Sequence, residues 1–302
     1  MPSHKRLHFR QTVTPVIFAP TIKPPKSKQR ALLSPSIDRI ALLVGCEYTA
    51  YERADRMERL PGCHADIIFA EKMLREHYNY SNITVLMDDG LHTMPTRAAI
   101  LTALYNVMQT CRDTPSIKTL VIYFSGHGTQ IVDAKCEEDD GKDECFVPCD
   151  FMENGMLTDI TLHSELWTNL PSTLDRVTCV ADCCNSGTLY NLPYTYEPPN
   201  TTRNVDNKHP TNSNMPLIVT ISGCQDTQTS ASAYNLERNV NWEGAMSFCL
   251  RSTLRNDRYS NTTPLNQLVD NLRTELKRRS FSQFPQIALN RPILLSRITR
   301  LF

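Results

Sequence analysis

Along the chain, short runs of consecutive apolar residues alternate with longer stretches in which apolar positions recur every three or four residues. Ile40-Ala-Leu-Leu-Val44, Ile83-Thr-Val-Leu-Met87, Leu120-Val-Ile-Tyr-Phe124, Arg176-Val-Thr-Cys-Val180 and Leu217-Ile-Val-Thr-Ile221 are of the first kind. Runs this short and continuous fit strands buried on both faces of a parallel sheet, because a half-exposed strand would alternate apolar and polar. Helical spacing predicts a helix from Asp66 to about Tyr78 and another from Thr96 to about Cys111, the second opened by Pro95. Further helices are expected around 162–170, 244–254 and 264–279, with Ile293-Leu-Leu-Ser-Arg297 as a possible closing strand. Two stretches show no such period: the polar, acid-rich 130–159 and the proline-punctuated 192–216, both read as loops. The alternation predicts one doubly wound α/β domain over residues 38–302, with crossover helices on both faces of five or six strands. Its large part covers about 38–190 and its small part about 217–302, with 192–216 as the linking loop. Residues 1–37 differ: no acid precedes Asp38, bases are frequent and six prolines discourage regular structure, so this segment reads as a flexible basic arm.

Composition narrows the classes. The chain has 302 residues, 40% of them hydrophobic and 21% charged, enough to bury a sizeable core. A formal net charge of +0 argues for neither a nucleic-acid nor a membrane partner. The 11 cysteines are odd in number and irregular in spacing, which suits free thiols in a reducing compartment. Cytoplasm is the expected location, with the nucleus open; prolines interrupt any amphipathic mitochondrial address in the arm.

Two of the apolar runs break into polar, glycine-containing turns: Ser125-Gly-His-Gly128 and Asp182-Cys-Cys-Asn-Ser-Gly187. Side by side, such strands would bring His127 and a thiol together above the carboxyl edge of the sheet, where open α/β sheets place their chemistry. A cysteine attacks as its thiolate, and a neighbouring imidazole promotes ionisation and later protonates the leaving amine. His127 precedes Cys184 by 57 positions, close to the roughly 50 of caspases. On these residues alone, structural roles for a loop histidine and a buried cysteine stay open. A redox pair of Cys183 and Cys184 is a weaker alternative, because strand alternation points adjacent side chains apart. Cys136, Cys145 and Cys149 with His127 and His163 lack paired C-x₂-C knuckles, so no zinc is expected, and no nucleotide.

Tyr123-Phe-Ser-Gly-His-Gly-Thr-Gln130 resembles the histidine box of metacaspases, and Asp182-Cys-Cys-Asn-Ser-Gly-Thr188 resembles their cysteine box. Gly141-Lys-Asp-Glu with Val147-Pro-Cys-Asp150, Leu192-Pro-Tyr-Thr-Tyr196, the Ser222–Ser230 segment and Gly244-Ala-Met-Ser-Phe248 extend the likeness in collinear order over roughly 38–300, closest to the fungal-style group. The resemblance implies a caspase-like three-layer sandwich around a mostly parallel six-stranded sheet. It also implies a cysteine endopeptidase that cleaves protein or peptide substrates after Arg or Lys. It makes His127 the base and Cys184 the nucleophile, with Gly128 and Cys184 N–H groups for the oxyanion and Cys63, Asp66, Ser125 and Asp182 around the basic side chain. It further implies a monomer stimulated by Ca²⁺, held by Asp143 (or its neighbour Asp140), Thr158, Asp159 and Asn191, of which Thr158 and Asn191 bring only neutral oxygens. Arg203 and Lys208, in the expected loop, become candidate self-cleavage sites of a zymogen. Asn185 departs from the family's histidine after the nucleophile. The alternative is a catalytically weak or inactive caspase-fold scaffold.

Overall fold

The computed structural model describes residues 38–52, 59–132, 141–197, 201–204, 215–224, 232–234, 242–258 and 262–302, all within the unit Ser36–Phe302. The expected arm at 1–37 lies outside the described residues, as do Asp140 and Lys208.

The elements begin β1 (Arg39–Gly45), α1 (Thr49–Glu52), α2 (Cys63–Tyr78), β2 (Asn82–Met87), α3 (Arg97–Asp113) and β3 (Thr119–Ser125). The acid-rich stretch then folds as β4 (Gly128–Val132), β5 (Lys142–Phe146), the single turn α4 (Phe151–Asn154), β6 (Leu157–Thr158) and α5 (Asp159–Leu166). There follow β7 (Arg176–Asp182), β8 (Tyr194–Glu197), β9 (Thr201–Asn204), β10 (Leu217–Ser222), β11 (Ser232–Tyr234), β12 (Trp242–Gly244), α6 (Ala245–Asn256), α7 (Leu265–Arg278) and β13 (Gln286–Leu289).

The main sheet has the order β2-β1-β3-β7-β10-β13-β8-β9. β2, β1, β3, β7 and β10 pair in parallel, and β13, β8 and β9 join by antiparallel pairing. The five apolar runs are the five parallel strands. Two readings are corrected. The segment 192–216 contains β8 and β9, which widen the sheet to eight strands, and Arg203 stands in β9 opposite Thr195. The antiparallel strand after α7 is Gln286–Leu289, and Leu295–Arg297 is a 3-10 turn. The short helix also begins earlier than expected, at Asp159, with Thr158 capping it.

Strand alternation divides the core. Ile40, Leu42 and Val44 of β1, with Leu120, Ile122 and Phe124 of β3, pack in one cluster with residues of α3 and α5. Ala41, Leu43, Val121 and Tyr123 face the other cluster, built on α2, α6 and α7. These are the three layers. The same alternation sends Ser125 and Asp182, the last residues of β3 and β7, to the α2/α6 face. Among the described residues no helix is long and apolar enough to cross a membrane.

Candidate active site

β3 and β7 pair in register to their ends, Thr119 opposite Arg176 and Ser125 opposite Asp182. The Gly126 N–H continues the ladder to the Asp182 carbonyl at 3.3 Å. His127 and Cys184 each lie two residues past the Ser125–Asp182 pair, at the same level on neighbouring strands. Contact here is close: a Cβ at Gly128 would overlap the Cys184 carbonyl, so this position takes only glycine. The arrangement therefore brings the two turns that carry His127 and Cys184 against each other at one point of the carboxyl edge.

The His127 backbone is held by Tyr48. The Tyr48 hydroxyl accepts from the His127 N–H at 2.8 Å and donates to the Val147 carbonyl at 2.7 Å, and its ring lies 4.8 Å from the imidazole. The Val147 N–H donates in turn to the His127 carbonyl at 3.1 Å. Tyr48 is buried, so Tyr48→Phe strands an N–H and a carbonyl away from water. It is expected to destabilise the fold by about 1–3 kcal/mol and to lower kcat more than it raises KM, read from urea unfolding and steady-state kinetics.

Behind the edge sits a pair of carboxylates. Asp66, in the first turn of α2, accepts from Ser125 Oγ at 2.8 Å and from the Gly244 N–H at 3.0 Å. Asp182 accepts the Ser247 N–H at 2.9 Å and the Ser247 hydroxyl at 2.6 Å. With that hydroxyl's proton committed, Tyr123 OH donates to Ser247 Oγ across 2.6 Å. Both acids are nearly inaccessible, Asp66 at 4% and Asp182 at 5% exposure. A Cβ at Gly244 would fall against both carboxylates, so they flank one small space. Burial, and then the charge of Asp182, pushes the Asp66 carboxyl well above the usual carboxylate range. Cys63 shares the wall with Ser125, and burial and the Asp66 charge push its thiol up as well. All four residues expected around a basic side chain are thus adjacent. Gly244 and Ser247 complete the space and had no role assigned from sequence. The signal was present in Gly244-Ala-Met-Ser-Phe248, where a glycine precedes a helix with a hydroxyl in its first turn.

Cys183 points away from this face: it is buried in the cluster with Cys179 and Tyr190. The expected metal residues are less concentrated. Asp143 and Asp159 both raise the pKa of the Cys145 thiol, which places them beside it, though burial is the larger cause. Glu144 accepts from the Thr188 hydroxyl at 2.7 Å, and the Thr188 carbonyl accepts from the Asn191 N–H at 2.6 Å. The Thr158 hydroxyl is committed to the start of α5, accepting from the Thr161 N–H at 3.2 Å. Among the described residues no three His, Cys, Asp or Glu side chains group closely enough to hold a metal ion. A calcium site there would have to draw on neutral oxygens and water beside Asp143 and Asp159.

Comparison with known proteins follows the same outline. The family model described as metacaspase, peptidase C14 domain, matches residues 39–193. A protein named Metacaspase III c of Phaeodactylum tricornutum is 40% identical over 162 residues, 53% of this chain and 46% of the other. Metacaspase-1 of Yarrowia lipolytica is 31% identical over 299 residues, 83% of this chain and 61% of the other. The chain thus spans roughly half to three-fifths of the length of these relatives. The crystal structure of a Geobacter sulfurreducens protein superposes with a TM-score of 0.57 at 23% identity, covering 83% of this chain and 93% of that one, and shares the fold.

Proposed function

The chain belongs to the metacaspase family of C14 cysteine peptidases, and on that premise we propose that it is an endopeptidase cutting after Arg or Lys, with His127 and Cys184 as the reacting pair. The observation that carries this reading is the in-register end of β3 and β7, which sets the turns bearing His127 and Cys184 beside each other, next to the buried Asp66 and Asp182. His127 takes the Cys184 proton, the sulfur bonds to the scissile carbonyl carbon, and the same proton goes to the departing amine. Water then cleaves the thioester with His127 as base. The Gly128 and Cys184 N–H groups are the donors for the oxyanion. A guanidinium or ammonium leaving water needs a fixed counter-charge, and Asp66 and Asp182 supply it. Matched fluorogenic peptides ending in Arg, Lys, Asp or citrulline test the proposal: the first two should turn over far faster than the others, with citrulline slow and Asp not cleaved, and turnover of none would overturn it.

Calcium stimulation belongs to the proposal, with Asp143, Asp159 and the Asn191 amide as oxygen donors of the kind this ion takes. Bound there, the ion would neutralise acids in the strand next to the histidine turn. Asp143→Asn and Asp159→Asn are expected to shift half-maximal calcium activation upward at least about tenfold, with little change in the calcium-free rate. A calcium titration flat in the unaltered protein removes the metal and leaves the dyad. Self-processing is proposed for the segment carrying Arg203 and Lys208. Because Arg203 pairs within β9, that bond is open to cleavage only when the edge strand peels away.

A further inference from the structure

The acid pocket hangs on a second cluster that the mechanism does not use. Glu47 follows β1, Asp88 follows β2 and His64 is the second residue of α2, so three elements meet at one edge of the sheet. His64 Nε2 lies 2.6 Å from Asp88 Oδ1, and its Nδ1 lies 3.8 Å from Glu47 Oε2. Both ring nitrogens thus face a carboxylate, which is the arrangement for an imidazolium carrying a proton on each. Asp88 also accepts the backbone N–H groups of Glu47 at 2.8 Å and Thr49 at 3.2 Å. Glu47 Oε1 accepts the N–H groups of Gly62 at 2.9 Å and His64 at 3.3 Å, and Oε2 pairs with Arg59 at 2.8 Å.

This cluster sets the start of α2. Gly62, in the left-handed region at φ 112°, has its N–H tied to Glu47, and its carbonyl accepts from the Asp66 N–H at 2.9 Å. Cys63 and Asp66, two of the four pocket residues, stand on the turn so pinned.

We propose that His64, as an imidazolium clamped between Glu47 and Asp88, is a positioning residue that holds Asp66 in place to bind a basic side chain. The inference rests on the reading of Asp66 as a pocket residue. The charged groups facing His64 are Glu47 from the end of β1 and Asp88 and Asp89 from the end of β2, with Arg59 reaching it through Glu47 and His92 paired to Asp89. Burial alone would lower the imidazole pKa, but the Asp88 hydrogen bond and the Glu47, Asp88 and Asp89 charges raise it above its ordinary value. Asp88 moves the opposite way: burial is outweighed by His64 and the two backbone donors, which hold it below the usual range. The clamp is therefore complete below the ordinary histidine pKa and is lost as pH rises through the folded one. Asp66 titrates in the contrary sense, gaining charge with pH, so the two effects separate.

The test is agmatine, a guanidinium without a scissile bond, bound to the whole 302-residue chain and followed by calorimetry from pH 5.5 to 9 in about half-unit steps. His64→Gln is expected to weaken binding about tenfold at the acid end and to converge on the unaltered protein at the alkaline end, where its own clamp is gone. A ratio that stays constant across the range, or stays at one, overturns the proposal. Asp88→Asn serves as the second variant and covers a failure of His64→Gln to fold: it should move the loss of affinity to lower pH, and an unmoved profile counts against the clamp. In turnover of an Arg peptide, KM rather than kcat should carry the His64→Gln effect. Absence of turnover with the expected agmatine pattern would sink the peptidase reading alone. Turnover with a pH-independent ratio would sink the clamp alone.

Discussion

Cys184→Ala should lower kcat on an arginine-terminated peptide by about 10⁴-fold or more, the scale on which removal of a covalent nucleophile acts. Cys183→Ala should leave kcat within about threefold and lower the denaturation midpoint, since trimming a small buried side chain costs on the order of 1 kcal/mol. The contrast follows from where the thiols at this edge sit. Cys63, Cys183 and Cys224 are all buried, and burial is the first cause of the upward shift of each, with Cys224 pushed up to about 11. A thiol held there stays protonated at neutral pH and is a poor nucleophile. Cys184 alone of the four is partly open to solvent, past the end of β7 and level with His127. Alkylation by iodoacetamide followed by mass spectrometry gives an independent readout, in which Cys184 is modified first and modification tracks loss of activity. Activity that survives Cys184→Ala but dies with Cys183→Ala would show that the reacting thiol had been misassigned.

What the chain discloses before folding depends on how locally each feature is encoded. β1, β3, β7 and β10 are buried on both faces, and nothing but continuous apolar sequence can form them, so they stand out; β2, at the edge of the sheet, is only partly buried but keeps the same run of β-branched and aliphatic residues. β8 and β9 close the far end of the sheet, and their residues Tyr194-Thr-Tyr-Glu197 and Thr201-Thr-Arg-Asn204 are largely polar and follow or precede prolines, so no period distinguishes them from loop. Ile293-Leu-Leu reads as a strand by composition, yet Gln286–Leu289 takes the place beside β10, where Ile287 and Leu289 are fully buried. The place of His127 and Cys184 at one edge of the sheet was legible because each follows a strand that could be recognised. Tyr48 and the Glu47–His64–Asp88 cluster were not. Their partners lie 79, 99, 41 and 24 positions away, and only the parallel order of β2, β1 and β3 brings them together.

On the proposed reading the pocket trades stability for selectivity, and Asp66→Asn should expose both sides of the exchange. The Asp66 carboxyl is raised by burial and by Asp182, so its folded pKa exceeds its unfolded one. Such a group favours the folded state below the unfolded pKa, and the advantage is lost as pH rises through the folded value. At neutral pH two acids therefore face each other at a cost. An asparagine oxygen can still accept from Ser125 or Gly244, while its amide can turn toward Asp182, converting repulsion into a hydrogen bond. Asp66→Asn is thus expected to be more stable than the unaltered protein at pH 7 by about 1 kcal/mol, with the gain vanishing near pH 4 as the carboxyl itself becomes neutral. On an Arg peptide its kcat/KM should fall about a hundredfold, the scale for removing one partner of a desolvated charge pair. A citrulline peptide, isosteric but neutral, should lose little. The unaltered protein should show an acid limb in kcat/KM for Arg that the citrulline substrate lacks, beginning above the ordinary carboxylate range because protonating Asp66 discharges the pocket. Asp182→Asn keeps an oxygen for the Ser247 N–H and hydroxyl and should reproduce the selectivity loss. If Asp66→Asn leaves the preference for Arg over citrulline intact, these carboxylates do not read the substrate, and the basic specificity would have to come from another surface.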